Sequence, residues 1–162
     1  VDALILAGGE NKRLPALKGF LKVNGKRIIE SNIELLSRIF DRVIISTDKP
    51  EIYFPFGVLM IGDIIKYRGP MIGIFSALTV SGTSEIFVTA CDMPFLNAEL
   101  ITYIIDKYKK AEQQLNPPFI KGERGGINNS EPEKWDAAIP IFAKKPQPLF
   151  GIYSKRIVED ME

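Results

Sequence analysis

Three cations spaced along a glycine-broken loop, and a carboxylate at the end of a strand, are the side chains of this sequence best suited to chemistry. Lys12, Arg13 and Lys18 follow Gly8-Gly9, directly after the hydrophobic run of residues 1–6. Glycines let the backbone approach an anion closely and basic side chains neutralise it, so residues 4–18 read as a phosphate-holding loop. Arg13 suits bidentate contact and Lys18 acts as a point charge; together they form a clamp, or else they are plain solvated loop charges. Asp92 comes just after Val88-Thr89-Ala90-Cys91. A carboxylate there, facing the cations, can hold Mg²⁺ against triphosphate oxygens, or it can simply cap the turn before Pro94. Gly69-Pro70-Met71-Ile72-Gly73 opens a helix whose amino end can accept a ribose hydroxyl or an anion, or can be no more than a tight packing site.

Composition narrows the chemistry further. The 162 residues include no histidine and a single cysteine, Cys91. Histidine-based triads, histidine-ligated metals, multi-cysteine zinc sites and an internal disulfide are thereby excluded. Any metal must be held by oxygen ligands, which favours magnesium or manganese. A net charge of +1 gives no global field for nucleic acid or acidic membranes. No apolar run approaches the ~20 residues of a membrane-spanning helix, and the expected location is cytoplasmic. The chain opens on Val1, already inside a strand, so a residue or more is expected to precede it. Both common nucleotide signatures are absent: there is no Gly-x-Gly-x-x-Gly after the first strand and no Gly-x-x-x-x-Gly-Lys-Ser/Thr anywhere.

The elements that must position these residues follow from periodicity. Residues 1–6 read as a central strand buried on both faces. After the long polar loop, Asn24-Gly25 predicts a tight hairpin between residues 20–23 and 26–28. Ile29, Ile33, Leu36 and Phe40 give one apolar face to a helix over 29–40. Strands are expected at 42–46, 58–61 and 85–90, and a helix with Pro70 in its first turn over 71–80. Asn97 is placed to cap a helix running to about residue 112. Residues 113–134 read as a loop or insertion, 137–142 as a late strand, and 149–153 as another strand before a short final helix. Trp135 and Tyr103 read as core or surface aromatics, and Lys107, Lys109 and Lys110 as a solvated helix end. Alternating strands and helices imply a single α/β domain with a mostly parallel sheet covered on both faces. Ligands of such sheets bind at the carboxyl ends of the strands, which brings residues 8–9, 46–48 and 91–94 to one rim.

Taken together, these segments resemble one family, the molybdenum cofactor guanylyltransferases. LAGGENKRLPALKGFL is similar to that family's LAGGxSxRMGxDKxxL, RGPMIGI to GPLxGI, TACDMPFL to xxCDMPFL, and KPQPLFGIYS to QPLFALY. The four motifs occur in the same order and span most of the chain. The second glycine of LAGG resembles the guanylyl branch, whereas cytidylyl and sugar-phosphate relatives more often read LAAG. The resemblance implies a three-layer Rossmann-like nucleotidyltransferase fold. It also implies transfer of GMP from GTP to molybdopterin or Mo-molybdopterin, with Mg²⁺ as cofactor and pyrophosphate leaving. By position, Leu6, Ala7, Gly8 and Gly9 line the guanine and ribose site, Arg13 and Lys18 hold the triphosphate, and Asp92 binds nucleotide and metal. Asp48 falls where the family commonly has asparagine after its second strand, Asp63 near a nucleotide-contacting aspartate ahead of GPLxGI, and Gln147 and Pro148 near the pterin side; Asp48 and Asp63 are thereby implied as nucleotide-binding. Transient contact with other cofactor-biosynthesis proteins is a further implication.

The chain departs from the family pattern at Asn11, Leu14, Pro15 and Leu17, in place of serine, methionine, glycine and aspartate. Pro15 supplies no N–H and no positive φ, so the loop curves differently there. The carboxyl end stops short of the family's Asn-x-Asn-Thr-Pro-Glu-Asp, so a terminal segment is expected to be missing. The expected reaction is in-line attack of the pterin phosphate on the α-phosphorus, with no covalent enzyme intermediate. The alternatives are CMP transfer to molybdopterin, nucleotide transfer to a sugar phosphate, or a nucleotide-binding protein of this fold without turnover.

Overall fold

The computed structural model describes residues 1–8, 18–67, 69–115 and 135–158. Gly9, Lys12, Arg13, Pro15, the other departures of the first loop, and most of the expected 113–134 loop lie outside the described residues.

Strand β1 (Asp2–Leu6) is buried along its whole length, as an uninterrupted aliphatic run requires. The Lys18–Phe20 turn leads into a hairpin of β2 (Lys22–Val23) and β3 (Lys26–Arg27), with positive φ at Asn24 and Gly25. Then come α1 (Ile28–Leu36), β4 (Val43–Ser46), α2 (Pro50–Tyr53) and β5 (Leu59–Ile61). The second half holds α3 (Pro70–Val80), β6 (Glu85–Ala90) and α4 (Ala98–Leu115), followed by β7 (Ala137–Ala138), β8 (Ile141–Phe142), β9 (Lys145–Pro146) and β10 (Phe150–Ser154). Among the described residues, no helix is long and apolar enough to cross a membrane.

The main sheet has the order β5-β4-β1-β6-β10-β7. The β1–β4, β1–β6 and β4–β5 pairs are parallel, and β10 runs antiparallel to both β6 and β7. Period-two alternation splits the core into two layers. Ala3, Ile5, Val43, Ile45 and Phe87 face α1 and α4, where Ile29, Leu36, Ile101, Ile104 and Tyr108 cover them. Leu4, Leu6, Ile44, Ile86 and Val88 face α3, where Ile74, Phe75, Ala77 and Leu78 cover them. The architecture is therefore helix, sheet, helix, as the alternating pattern predicts.

Three expectations need correction. Helix α1 ends at Leu36 rather than Phe40: Ser37, Arg38 and Ile39 donate to Ile33, Leu35 and Leu36 in a tightening last turn, and Phe40 still reaches the core. Helix α4 continues to Leu115, past the expected end at 112. The strand expected over 137–142 is two strands. Pro140 has no N–H to continue the ladder, and β8 turns through Ala143-Lys144, both at positive φ, to pair with β9 instead.

Candidate active site

The parallel strands end in register, and that sets the site. Leu6 lies opposite both Ser46 and Ala90, and Ser46 opposite Ile61. The ladder continues one step further, with Ala7 N donating to Ser46 O (2.8 Å), Thr47 N to Ile61 O (2.9 Å) and Cys91 N to Leu6 O (3.0 Å). Beyond that step the four chains diverge as loops from one rim. Strand order reverses between β1 and β6, so the crevice opens where a doubly wound sheet binds ligands.

A cleft of about 570 Å³ occupies this rim, within the usual range for small-molecule sites. Leu6, Ala7, Gly8, Lys18, Asp48, Asp63 and Asp92 all line it. Seven of the nine residues singled out for nucleotide or catalysis thus share one cleft; Gly9 and Arg13 lie outside the described residues. Lys18 Nζ stands 3.3 Å from Asp92 Oδ2, with both side chains partly open to solvent. This pair joins the loop after β1 to the loop after β6 across the switch point. Gln147 and Pro148 do not line the cleft. Gln147 N donates to Pro140 O (2.9 Å) and the Tyr153 hydroxyl to Pro148 O (2.6 Å), while the next residue, Leu149, reaches the lining.

Each functional side chain is set by local packing. Phe20 lies edge-on to Tyr53 (5.6 Å) and Phe56 (5.8 Å), which anchors the short turn that presents Lys18. At Gly19 a Cβ would come 3.1 Å from the Cys91 carbonyl oxygen, so a side chain there would require the Cys91 loop to yield by a few tenths of an ångström. Helix α3 enters the cleft rim at Gly69, Pro70 and Gly73. A Cβ at Gly73 would lie 2.6 Å from Ser46 Oγ and 2.9 Å from Leu6 Cδ2. Glycine there lets the helix seat its amino end against β1 and β4. Pro70 has no N–H and Ile72 N already donates to Gly69 O (3.1 Å), so what this end offers an anion or a hydroxyl is chiefly the positive pole of the helix dipole.

Electrostatics separate the acidic residues. Asp63 stands on the exposed rim of the cleft, where partial desolvation, and secondarily the Asp48 charge, raises its pKa, so the effect on stability is small. Asp63 therefore binds its proton more tightly in the folded than in the unfolded protein. Its charge begins to cost stability as pH rises past the ordinary aspartate value of ~3.9 and costs it in full above the raised value. Asp63→Asn should consequently raise the melting temperature slightly near pH 7 and leave it unchanged near pH 3. Identical melting of variant and wild type at pH 7 would contradict this desolvation. Burial, with the Asp92 charge second, pushes the Cys91 thiol up to about 11. A thiol so placed is no nucleophile at neutral pH. Tyr53 is pushed up to about 12, by burial first and then by Cys91 and Asp48. Neither group suits covalent catalysis, whereas the Lys18–Asp92 pair can supply charge neutralisation and positioning.

Sequence reasoning did not single out Tyr53, Thr47, Lys66 or Tyr67, all of which line the cleft. Thr47 is buried, and its Oγ1 accepts from Lys49 N (3.1 Å), which shapes the turn carrying Asp48. The stretch holding Lys66 and Tyr67 has no periodicity to mark it. Trp135 and Tyr103 are surface aromatics away from the lining, and Lys107 Nζ sits 5.4 Å from the Tyr103 ring centroid.

Residues 3–162 match the MobA-like NTP transferase domain family. The chain is 31% identical over 164 residues to a protein of Peptoclostridium acidaminophilum named "Probable molybdenum cofactor guanylyltransferase", covering 99% of this chain and 65% of that protein. It is 34% identical over 162 residues to a protein of the same name from Clostridium perfringens strain SM101, covering 99% and 69%. It thus spans about two thirds of the length of these curated relatives. Among solved structures it is similar to the molybdopterin-guanine dinucleotide biosynthesis protein A of Archaeoglobus fulgidus, with a TM-score of 0.73 and 22% identity, covering 99% of this chain and 71% of the other. That likeness is one of fold, a Rossmann-like three-layer arrangement around a mostly parallel sheet. With its sequence matched from residue 3 onward, the chain belongs to the MobA-like NTP transferase domain family.

Proposed function

We propose that this chain carries a guanylyltransferase activity, moving GMP from GTP to the phosphate of molybdopterin or Mo-molybdopterin and releasing pyrophosphate. The observation that carries the reading is the Lys18–Asp92 pair, 3.3 Å apart in a cleft at the switch point. A cation and a carboxylate meeting where a triphosphate enters are what phosphoryl chemistry without a nucleophilic side chain requires. The relatives' names supply the nucleotide and the acceptor. The reading takes residues 1–162 as one nucleotidyltransferase domain.

In this account Leu6, Ala7 and Gly8 line the nucleoside side, with Asp48 and Asp63 as polar contacts, and Gly9 completes the loop. Lys18, with Arg13, neutralises the triphosphate and the charge that builds on the leaving pyrophosphate. The amino end of α3 adds positive potential to the same space. The cleft excludes part of the solvent, which strengthens these interactions. The acceptor phosphate approaches in line from the Leu149 side, beside Gln147 and Pro148.

Asp92 suits Mg²⁺. Among the described residues no three acidic, histidine or cysteine side chains cluster as a complete cage. Magnesium characteristically takes one or two carboxylates and fills the remaining positions with water and substrate phosphate. Asp92 would hold the ion, which supplies charge neutralisation of the phosphate oxygens. Lys18, now on Asp92, would turn to the nucleotide.

Lys18→Ala should raise the Kd for GTP by roughly 10- to 100-fold, the loss of one charge-assisted contact. Calorimetric titration giving an unchanged Kd would count against the clamp. The nucleotide is tested by thermal shift with GTP, CTP, ATP and UTP, each with Mg²⁺. The largest stabilisation is expected with GTP, and a larger one with CTP would move the reading to cytidylyl transfer.

A further inference from the structure

Helix α1 contains one residue that its packing alone does not demand. Ile29, Asn32 and Leu36 form a single buried stripe, with Asn32 only 2% exposed. A buried amide is costly unless hydrogen-bonded, and asparagine is a weaker helix former than leucine. An aliphatic residue would serve the core better. Asn32 Nδ2 instead donates to the Met93 carbonyl at 3.1 Å, a contact between residues 61 apart in the chain. Met93 directly follows Asp92.

Cys91, Met93 and Leu96 pack against the core and Asp92 pairs with Lys18, but the loop bearing Asp92 has few other hydrogen bonds to the body of the protein among the described residues. Cys91 N bonds Leu6 O, Met93 N reaches Ala90 O at 3.3 Å, and the Thr89 hydroxyl donates to Met93 Sδ at 3.4 Å. The last two are local, within four residues. Pro94 restricts the Met93 backbone but does not anchor it. The amino end of α1 holds the opposite arm of the cleft. Ile28 N donates to Leu21 O at 3.0 Å, and the Arg27 guanidinium lies 5.2 Å from the Phe20 ring centroid, just beyond Lys18 and Gly19. One helix thus carries both loops whose side chains meet as Lys18 and Asp92.

We infer that Asn32 is a positioning residue, holding the Asp92 carboxylate opposite Lys18 through the Met93 carbonyl. The role of Asp92 in that sentence rests on the proposed function; the bracing of its loop does not. Without the bond, Met93 O loses its only long-range donor among the described contacts, and the loop samples positions in which Asp92 is drawn back from the cation site. Nucleotide contacts through Lys18 and the amino end of α3 persist.

The test uses Asn32→Leu, which keeps the forked side-chain shape and removes the donor, with the smaller Asn32→Ala as the second variant should the bulkier leucine disturb folding. In the ligand-free protein, the Asp92 and Met93 amides should exchange with solvent about tenfold faster, while those of Phe87 and Val88 stay unchanged. In the reaction of GTP with acceptor, the Mg²⁺ concentration for half-maximal rate should rise about tenfold, with GTP affinity within about twofold of wild type. A residue that only fills the core would accelerate exchange throughout and leave the Mg²⁺ requirement unaltered. Either of those results, or unchanged exchange at Asp92 and Met93, overturns the inference. If wild type itself releases no pyrophosphate, the functional reading fails, and the exchange measurement decides the bracing role alone.

Discussion

Asp92→Asn is expected to lower Mg²⁺-dependent pyrophosphate release by about 10²- to 10³-fold, the usual loss when one preorganised electrostatic contact to the reacting group is removed. The substitution keeps size and hydrogen-bonding capacity but deletes the charge. The fold should survive it, because Asp92 and Lys18 are both partly open to solvent and an exposed pair of that kind contributes little to stability. GTP binding without Mg²⁺ should change far less than turnover, since Lys18 is then free for phosphate. Near-wild-type rates across a Mg²⁺ titration would remove Asp92 from the metal role.

Gly73→Ala should affect both stability and binding. The added Cβ would lie 2.6 Å from Ser46 Oγ and 2.9 Å from Leu6 Cδ2, closer than real contacts allow. Both close atoms are side-chain ends on largely buried residues at the ends of β4 and β1, so the strain is expected to be shared between those side chains and a shift of α3. Overpacking of this kind costs ~1–3 kcal/mol. For a chain of this size that corresponds to roughly 3–10 °C in melting temperature. The shift also carries the amino end of α3 away from the rim, so GTP affinity should fall by more than the stability loss explains. A variant that melts like wild type and binds GTP normally would show that the close approach of α3 is dispensable.

Much of this arrangement was legible in the sequence, for local reasons. Residues 1–6 and 85–90 are dense in aliphatic and β-branched residues and end at polar turns, so β1 and β6 were placed within a residue of their observed limits. Asn97 was legible as a cap, and its Oδ1 accepts from Leu100 N at 2.8 Å at the start of α4. The meeting of Lys18 and Asp92 followed from topology, because register in a parallel sheet brings strand ends to one rim. Other features depended on contacts far apart in sequence. Asn32 carries no local signal, since its partner is Met93. Tyr53 and Phe56 likewise carry no local signal, since their rings are set against Phe20, more than thirty residues earlier. The β8–β9 hairpin turns on Ala143-Lys144, neither of which is a usual turn former, so a single strand was the natural expectation.

The match to the family from residue 3 onward bears out the resemblance that the four motifs carried. Among the described residues, each of the four motifs contributes to the cleft lining: Leu6, Ala7, Gly8 and Lys18 from the first, Gly69, Pro70 and Gly73 from the second, Ala90, Cys91 and Asp92 from the third, and Leu149 from the fourth. Family pattern and sheet topology converge on the same cleft from independent directions.

The most direct test of the account is pyrophosphate release by the protein supplied with GTP, Mg²⁺ and molybdopterin. Release is expected to require all three, to be accompanied by a guanylylated pterin product, and to fall by about 10²- to 10³-fold in Asp92→Asn. GTP binding in this cleft with no release, under conditions where a relative of known activity turns over, would contradict it and leave a nucleotide-binding protein of this fold.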